Sequence, residues 1–222
     1  INHGTLVGVI LSINAMMFLR GNKNYDEQLY ERGGEIWSLK NLNKALSKIE
    51  NYVDGPSDGR FQTGLMQVRN CPDPTSYSPE FQQSAKSLGY EADDWDYNGT
   101  SQENGAGPLQ FNIDEKGNRH SPFKAYLEDV LTNKNLEIIS DAYVKRILLH
   151  EKTAIGVEIE FRNGLSKKIK CNKKIIICAG AIGSPILLER SGIGNSKSLK
   201  NANISQLIDA PSVGENLMDH LQ

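Results

Sequence analysis

The sequence predicts a mixed α/β fold, and three observations carry that expectation. The run Ile175–Cys178 is apolar on every side and largely β-branched, as in a strand covered on both faces. The small residues Ala179, Gly180, Ala181 and Gly183 lead it into a helix with Ser184 as N-cap, Pro185 in its first position and Gly192 as its stop. Between Ile155 and Cys171, apolar and charged residues alternate about Asn163-Gly164, the pattern of a half-buried β-hairpin.

The other elements follow in chain order. Leu6 to Leu19 is mostly apolar and predicts a buried helix ending at Arg20-Gly21. Leu39, Leu42, Leu46, Ile49 and Val53 recur near helical spacing, so Leu39 to Tyr52 predicts a surface helix with one core-facing stripe. The turn residues Asp54 to Gly59 end it. Gly64 to Val68 predicts a short strand. Pro79 to Gly89 predicts a helix capped by Ser78, with Phe81, Ala85 and Leu88 on its apolar face. Asp93 to Gly107 is polar and glycine-bearing, and loops of that length are often functional lids. Ser121-Pro122 should open a helix from Phe123 to Leu131, and Glu137 to Leu149 should follow as a strand.

Composition removes several function classes. The net charge is −2 and the pI about 6.1, so no basic surface speaks for nucleic acid. Cys71, Cys171 and Cys178 are far apart and join no His/Cys cluster, which predicts neither a metal site nor a disulfide framework. Leu6–Leu19 is too short to span a bilayer and is interrupted by Ser12 and Asn14, so no transmembrane segment is expected. His120-Ser121 is no nucleophile pair, because sequence neighbours rarely face each other.

A strand leading through glycines to a helix N-terminus can hold an anion or a nucleotide phosphate. An ordinary, tightly packed βα junction has the same local pattern. The fuller pattern is more specific. Gly180 to Gly194, with Ala181, Ser184-Pro185 and Ser191-Gly192-Ile193-Gly194, resembles the second signature of the glucose-methanol-choline (GMC) oxidoreductases, which are FAD-dependent. Ile13–Gly21 with Tyr25-Asp26 resembles the latter half of the family's first signature. Gly117-Asn118-Arg119-His120-Ser121, Ala125-Tyr126-Leu127 and Asn135-Leu136 resemble its middle segment, and Pro211–His220 the segment after the second signature.

The resemblance implies a partial FAD-binding, Rossmann-like domain of glutathione-reductase type with a β-meander, plus part of the substrate-side region. It implies that all of 1–222 belongs to the family's N-terminal domain, with 34–120 as a substrate-side or lid excursion and 121–222 as the return to the FAD-binding core. It assigns the cofactor site to Gly8, Asn14, Ala15, Met16, Met17, Val144, Gly180 and Ala181, with Asn14 as the polar anchor and Val144 acting through its backbone at the adenine end. Ile13 stands where some members carry a His bonded to the flavin; an aliphatic side chain cannot form that bond, so non-covalent FAD is implied. No catalytic residue is assigned within 1–222. The family's G-x-G-x-x-G belongs upstream and its catalytic His downstream, so the chain is expected to be an internal piece, inactive by itself. His220 matches the wrong segment for that base.

The intact protein is implied to pass hydride from a small-molecule alcohol to flavin, leaning toward choline dehydrogenase-like members, with the electron acceptor unknown and a cytoplasmic or peripheral membrane location. The chain departs from the family pattern at Val9-Ile10-Leu11, which replace a glycine and two small hydroxyl residues. Two alternatives stay open on that account: a degenerate, non-catalytic remnant or interaction module, and non-redox chemistry on the same scaffold.

Overall fold

A computed structural model describes residues 14–55, 58–72 and 77–219. Gly8, Ile13 and Val9-Ile10-Leu11, together with His220, lie outside the described residues. The chain forms two units, divided after Glu137.

In the first unit, α1 (Lys23–Gly33) starts at Asn22, whose side chain accepts the Asn24 N–H. Its sequence is polar around most of its circumference and no residue on it is buried. A single 3₁₀ turn, Glu35–Trp37, leads into α2 (Leu39–Ile49), where Leu42 and Leu46 are half-buried. The chain then enters β1 (Glu50–Tyr52), which pairs in parallel with β2 (Met66–Asn70); Glu50 lies opposite Met66 and Tyr52 opposite Val68. Antiparallel β3 (Gln110–Phe111) completes this sheet, and Met17 bridges to Phe111 beside it. Tyr52, Met66, Val68 and Ile113 form the apolar core.

The helix α3 (Ser78–Ser87) carries Pro79 in its first turn. Its cap is Tyr77, not Ser78, which is already helical. Phe81 and Leu88, expected on a core face, are both exposed. Asp93 to Gly107 contains no helix or strand, as its composition predicts. Phe123–Leu127 is a π-helical turn followed by the 3₁₀ turn Glu128–Val130, so the expected helix is present in an irregular form.

The second unit is built on a three-stranded antiparallel meander: β4 (Ala142–His150), β5 (Thr153–Phe161) and β6 (Ser166–Lys170). Asn163-Gly164 makes the β5–β6 turn, with Gly164 left-handed at φ +82°. The helix α4 (Gly180–Arg190) packs on β4, where Ser191 Oγ accepts the Ile147 N–H at 2.8 Å and donates to the Leu187 carbonyl at 2.6 Å. A parallel pair, β7 (Ile193–Gly194) and β8 (Ile208–Asp209), flanks the short helix α5 (Ser196–Asn201). Ile147, Ile159 and Leu199 are the buried apolar residues of this unit.

The fold departs from the sequence expectation in three further places. Residues 14–19 are not helical: Met16 is left-handed at φ +63° and Met17 sits in a β-bridge. Residues 175–178 form no strand among the described residues, and Ile176 is 82% exposed. Apolar β-branched character suits a buried strand but supplies no ladder partner. The helix after them begins at Gly180, placing Ser184 and Pro185 inside it, where Pro185 removes one N–H from the ladder. Gly192 does follow its end, at φ +82°.

Candidate functional site

The first unit holds Asn14, Ala15, Met16 and Met17 on one irregular edge. Met16 O accepts the Asn112 N–H at 2.7 Å, and Phe18 N–H donates to the Gln110 carbonyl at 2.9 Å, so this segment runs against β3. Ala15 and Met17 are exposed; Asn14 and Met16 are half-buried. A left-handed φ at a non-glycine residue costs energy and persists only where surroundings impose it. Asn14 imposes it locally, since its Oδ1 accepts the Met16 N–H at 3.0 Å. Arg119 reinforces it, donating from Nη1 to the same Oδ1 and from Nη2 to the Asn14 carbonyl, both at 2.8 Å.

Behind this edge lies a buried polar network that sequence reading missed. Glu50 is fully buried, pairs with Arg20, and accepts two bonds from Arg60, from Nε at 2.7 Å and Nη2 at 2.5 Å. Arg60 Nη1 also reaches Asp96 Oδ2 at 2.7 Å and Gln110 Oε1 at 2.8 Å. Asn98 joins the network to the edge: it donates to Gln110 Oε1 and the Phe18 carbonyl, and accepts the Arg20 N–H. Tyr97 donates to the Phe18 carbonyl at 3.1 Å, and burial pushes its phenol above the ordinary value, so it stays a neutral donor. Arg60 further stacks 4.0 Å from the Tyr52 ring centroid. Glu50, Arg20, Arg60 and Asp96 are thus all ion-paired, the condition under which burial of charge is tolerable, although Arg20 Nε is left without a hydrogen-bond partner among the described residues.

His120 adjoins this region. Its Nδ1 accepts the Gln67 N–H at 3.3 Å, which requires that nitrogen to be unprotonated. Burial, then the Lys124 charge, pull its pKa below the ordinary 6.5, while Asp114 and Glu128 oppose them. The folded state therefore resists protonation where the unfolded chain accepts it. The stability of this unit should be level above pH 6.5 and fall as pH drops from 6.5 toward the lowered folded value. Urea midpoints across that range would check it, and His120→Gln should remove the slope.

In the second unit, Val144 is half-buried on β4 opposite Ile159. The next registered pair is Arg146 with Glu158, so Lys145 is an extra residue, a β-bulge directly after Val144. Bulges interrupt the ladder and re-aim the backbone, and they recur beside functional sites. Gly180 is left-handed at φ +81°, and a Cβ there would meet nothing within 4 Å. The helix it opens has Ala179 as N-cap and no side-chain cap, so among the described residues no side chain caps its first N–H groups. Ala181 is exposed in that first turn. An uncapped helix N-terminus behind an open left-handed glycine suits a phosphate group. The residues at this helix entry therefore fit the phosphate of a nucleotide cofactor.

Among the described residues, no group of three or more His, Cys, Asp or Glu is placed to hold a metal ion, and no helix is long and apolar enough to cross a membrane.

Comparison with known proteins bears on these features. At 36% identity, the chain matches an oxygen-dependent choline dehydrogenase from Photobacterium profundum over 99% of its own length and 38% of the relative's. The same enzyme from Klebsiella pneumoniae matches at 36% identity over 95% of the chain and 38% of the relative. The chain thus spans well under half the length of these relatives. Among solved structures, pyridoxine 4-oxidase from Mesorbium loti superposes with a TM-score of 0.83 at 29% identity, covering 95% of this chain and 41% of that one. An FAD-dependent oxidoreductase from Chaetomium thermophilum superposes with a TM-score of 0.88 at 26% identity, covering 98% and 39%. These likenesses agree with the mixed α/β fold and its meander. The N-terminal family model of the GMC oxidoreductases matches residues 1–222, and the chain belongs to that family.

Proposed function

We propose that the protein carrying this chain is an FAD-dependent oxidoreductase acting on the CH–OH group of a small alcohol, with choline-like alcohols the first to test. The observation that supports it most is the family match across the whole of residues 1–222. The left-handed, uncapped helix entry at Gly180 is what that cofactor would need.

FAD, when bound, would supply the acceptor for a hydride from the alcohol carbon. The chain's own residues then have distinct tasks. Gly180 and Ala181 would offer main-chain N–H groups to a phosphate oxygen. The backbone at Val144, beside its bulge, would border the adenine end. Asn14, Ala15, Met16 and Met17 would face the ring system, with Gly8 completing the set. Residues 34–120 would lie on the substrate side and 121–222 would carry the nucleotide. Ile13 offers no nucleophile, so the cofactor would be held without a covalent bond. No residue of this chain is proposed as the catalytic base.

The test is an FAD titration of the intact protein followed by acid precipitation. Saturable binding is expected, with the flavin released into the supernatant and its visible band bleached by choline or a related alcohol. Gly180→Val should weaken FAD binding by about tenfold or more, because it loses both the left-handed turn and the open approach. A protein that binds no FAD would overturn the proposal.

A further inference from the structure

The segment Gly117-Asn118-Arg119-His120 has a clear local architecture. Asp114 Oδ1 accepts the N–H groups of Lys116 at 2.9 Å and Asn118 at 2.8 Å, Gly117 turns at φ +76°, and Ile113 bridges to Arg119. The result is a tight turn that delivers Arg119 to Asn14, 105 positions away in sequence.

Three donors then converge on Asn14. Its side-chain oxygen takes the Met16 N–H and Arg119 Nη1, and its main-chain carbonyl takes Arg119 Nη2. A side-chain carbonyl has two lone pairs, and both are used. The opposite amide orientation would set an NH₂ against two N–H donors, so the network itself decides which way the amide faces. What remains for a ligand is the NH₂ group, which can only donate.

Resting on the flavin assignment above, the geometry points to Arg119 as a positioning residue of the cofactor site: it clamps Asn14 so that this amide presents a donor to an acceptor atom of the flavin ring. The bond to the Asn14 carbonyl supports the backbone. The second bond, to Oδ1, orients the amide.

The test uses the intact protein and a double-mutant cycle on FAD affinity, read with the visible absorption spectrum of the bound flavin. Asn14→Ala should weaken FAD binding by about tenfold, the loss of one buried hydrogen bond. Arg119→Gln should weaken it severalfold and shift the spectrum in the same direction, while Arg119→Lys should recover part of the loss. Combining Asn14→Ala with Arg119→Gln should do no more than Asn14→Ala alone, because Arg119 acts through Asn14. Asn14→Asp should keep the contact with Arg119 yet lose affinity, since a carboxylate donates nothing. Additive losses would overturn the assignment. So would an Arg119→Gln protein that melts earlier with unchanged affinity and spectrum. A wild-type protein that binds no FAD would overturn the flavin assignment first and this inference with it, whereas wild-type binding with insensitive variants would overturn this inference alone.

Discussion

Replacing Glu50 by alanine is expected to destabilise the first unit by about 3–5 kcal/mol, the usual cost of leaving buried charges without their partner. Glu50 has no exposed surface, while the Arg60 and Arg20 side chains that meet it are 1% and 8% exposed. Removing the carboxylate takes from Arg20 the anion it pairs with, leaves Arg60 only its bonds to Asp96 and Gln110, and leaves the Phe61 N–H without its acceptor. Glu50→Gln should be milder, since the amide oxygen can still accept one bond, but it cannot neutralise either arginine. The chain's two tryptophans, Trp37 and Trp95, both lie in the first unit, so their emission during urea unfolding reports that unit. Lys86→Ala serves as a control: its pair with Asp93 is exposed and should shift the midpoint little. A Glu50→Ala midpoint equal to wild type would show that the network contributes no net stability. Because Asn98 carries the network to the Phe18 carbonyl and the Arg20 N–H, the same substitution should also loosen the edge bearing Asn14.

Gly192→Ala should cost about 2–4 kcal/mol in the second unit, from left-handed strain and overpacking together. Its φ is +82°, and an added Cβ would stand 2.7 Å from the Ser205 carbonyl oxygen and 3.0 Å from Leu207 Cγ. The Ser205 oxygen is backbone in a segment tied to this turn, whereas the exposed Leu207 side chain has room to turn away. The Gly192 carbonyl accepts the N–H groups of Leu207 at 2.8 Å and Ile208 at 3.1 Å, and these bonds start the β7–β8 pairing. The preceding residue, Ser191, ties the helix end to Ile147. Amide hydrogen exchange at Leu207 and Ile208 would check the prediction, with much faster exchange expected in the variant. Exchange as slow as in wild type would mean that the turn can adapt, contrary to the crowding described.

What could be read from the sequence divides along physical lines. The hairpin about Asn163-Gly164 was legible because strict alternation and turn chemistry are both local. The helix at Leu39–Ile49 was legible from its period. The helix at Lys23–Gly33 was not, because its circumference carries no apolar stripe to detect, although Asn22 supplies a cap. Residues 14–19 were misread because apolar character alone does not separate a helix from an irregular edge, and the left-handed Met16 depends on Arg119 far along the chain. The Glu50–Arg60–Asp96–Gln110 network left no signal at all, since its members are scattered and each looks like an ordinary polar surface residue. Of the candidate site, the sequence offered the motif positions; the bulge after Val144 and the clamp on Asn14 are tertiary features that only the fold displays.

The unpaired run Ile175-Ile176-Ile177-Cys178 also bears on how the chain behaves in a test tube. It is short, largely β-branched, uncharged and free of proline, and both Ile176 and Cys178 are exposed. Exposed runs of high β-propensity and low charge favour association between molecules. Lys173 and Lys174 precede it immediately and are both exposed, placing two like charges where stacked copies would have to bring them together. Colloidal stability of the isolated chain therefore rests on these two gatekeepers, and it should decline as salt screens them.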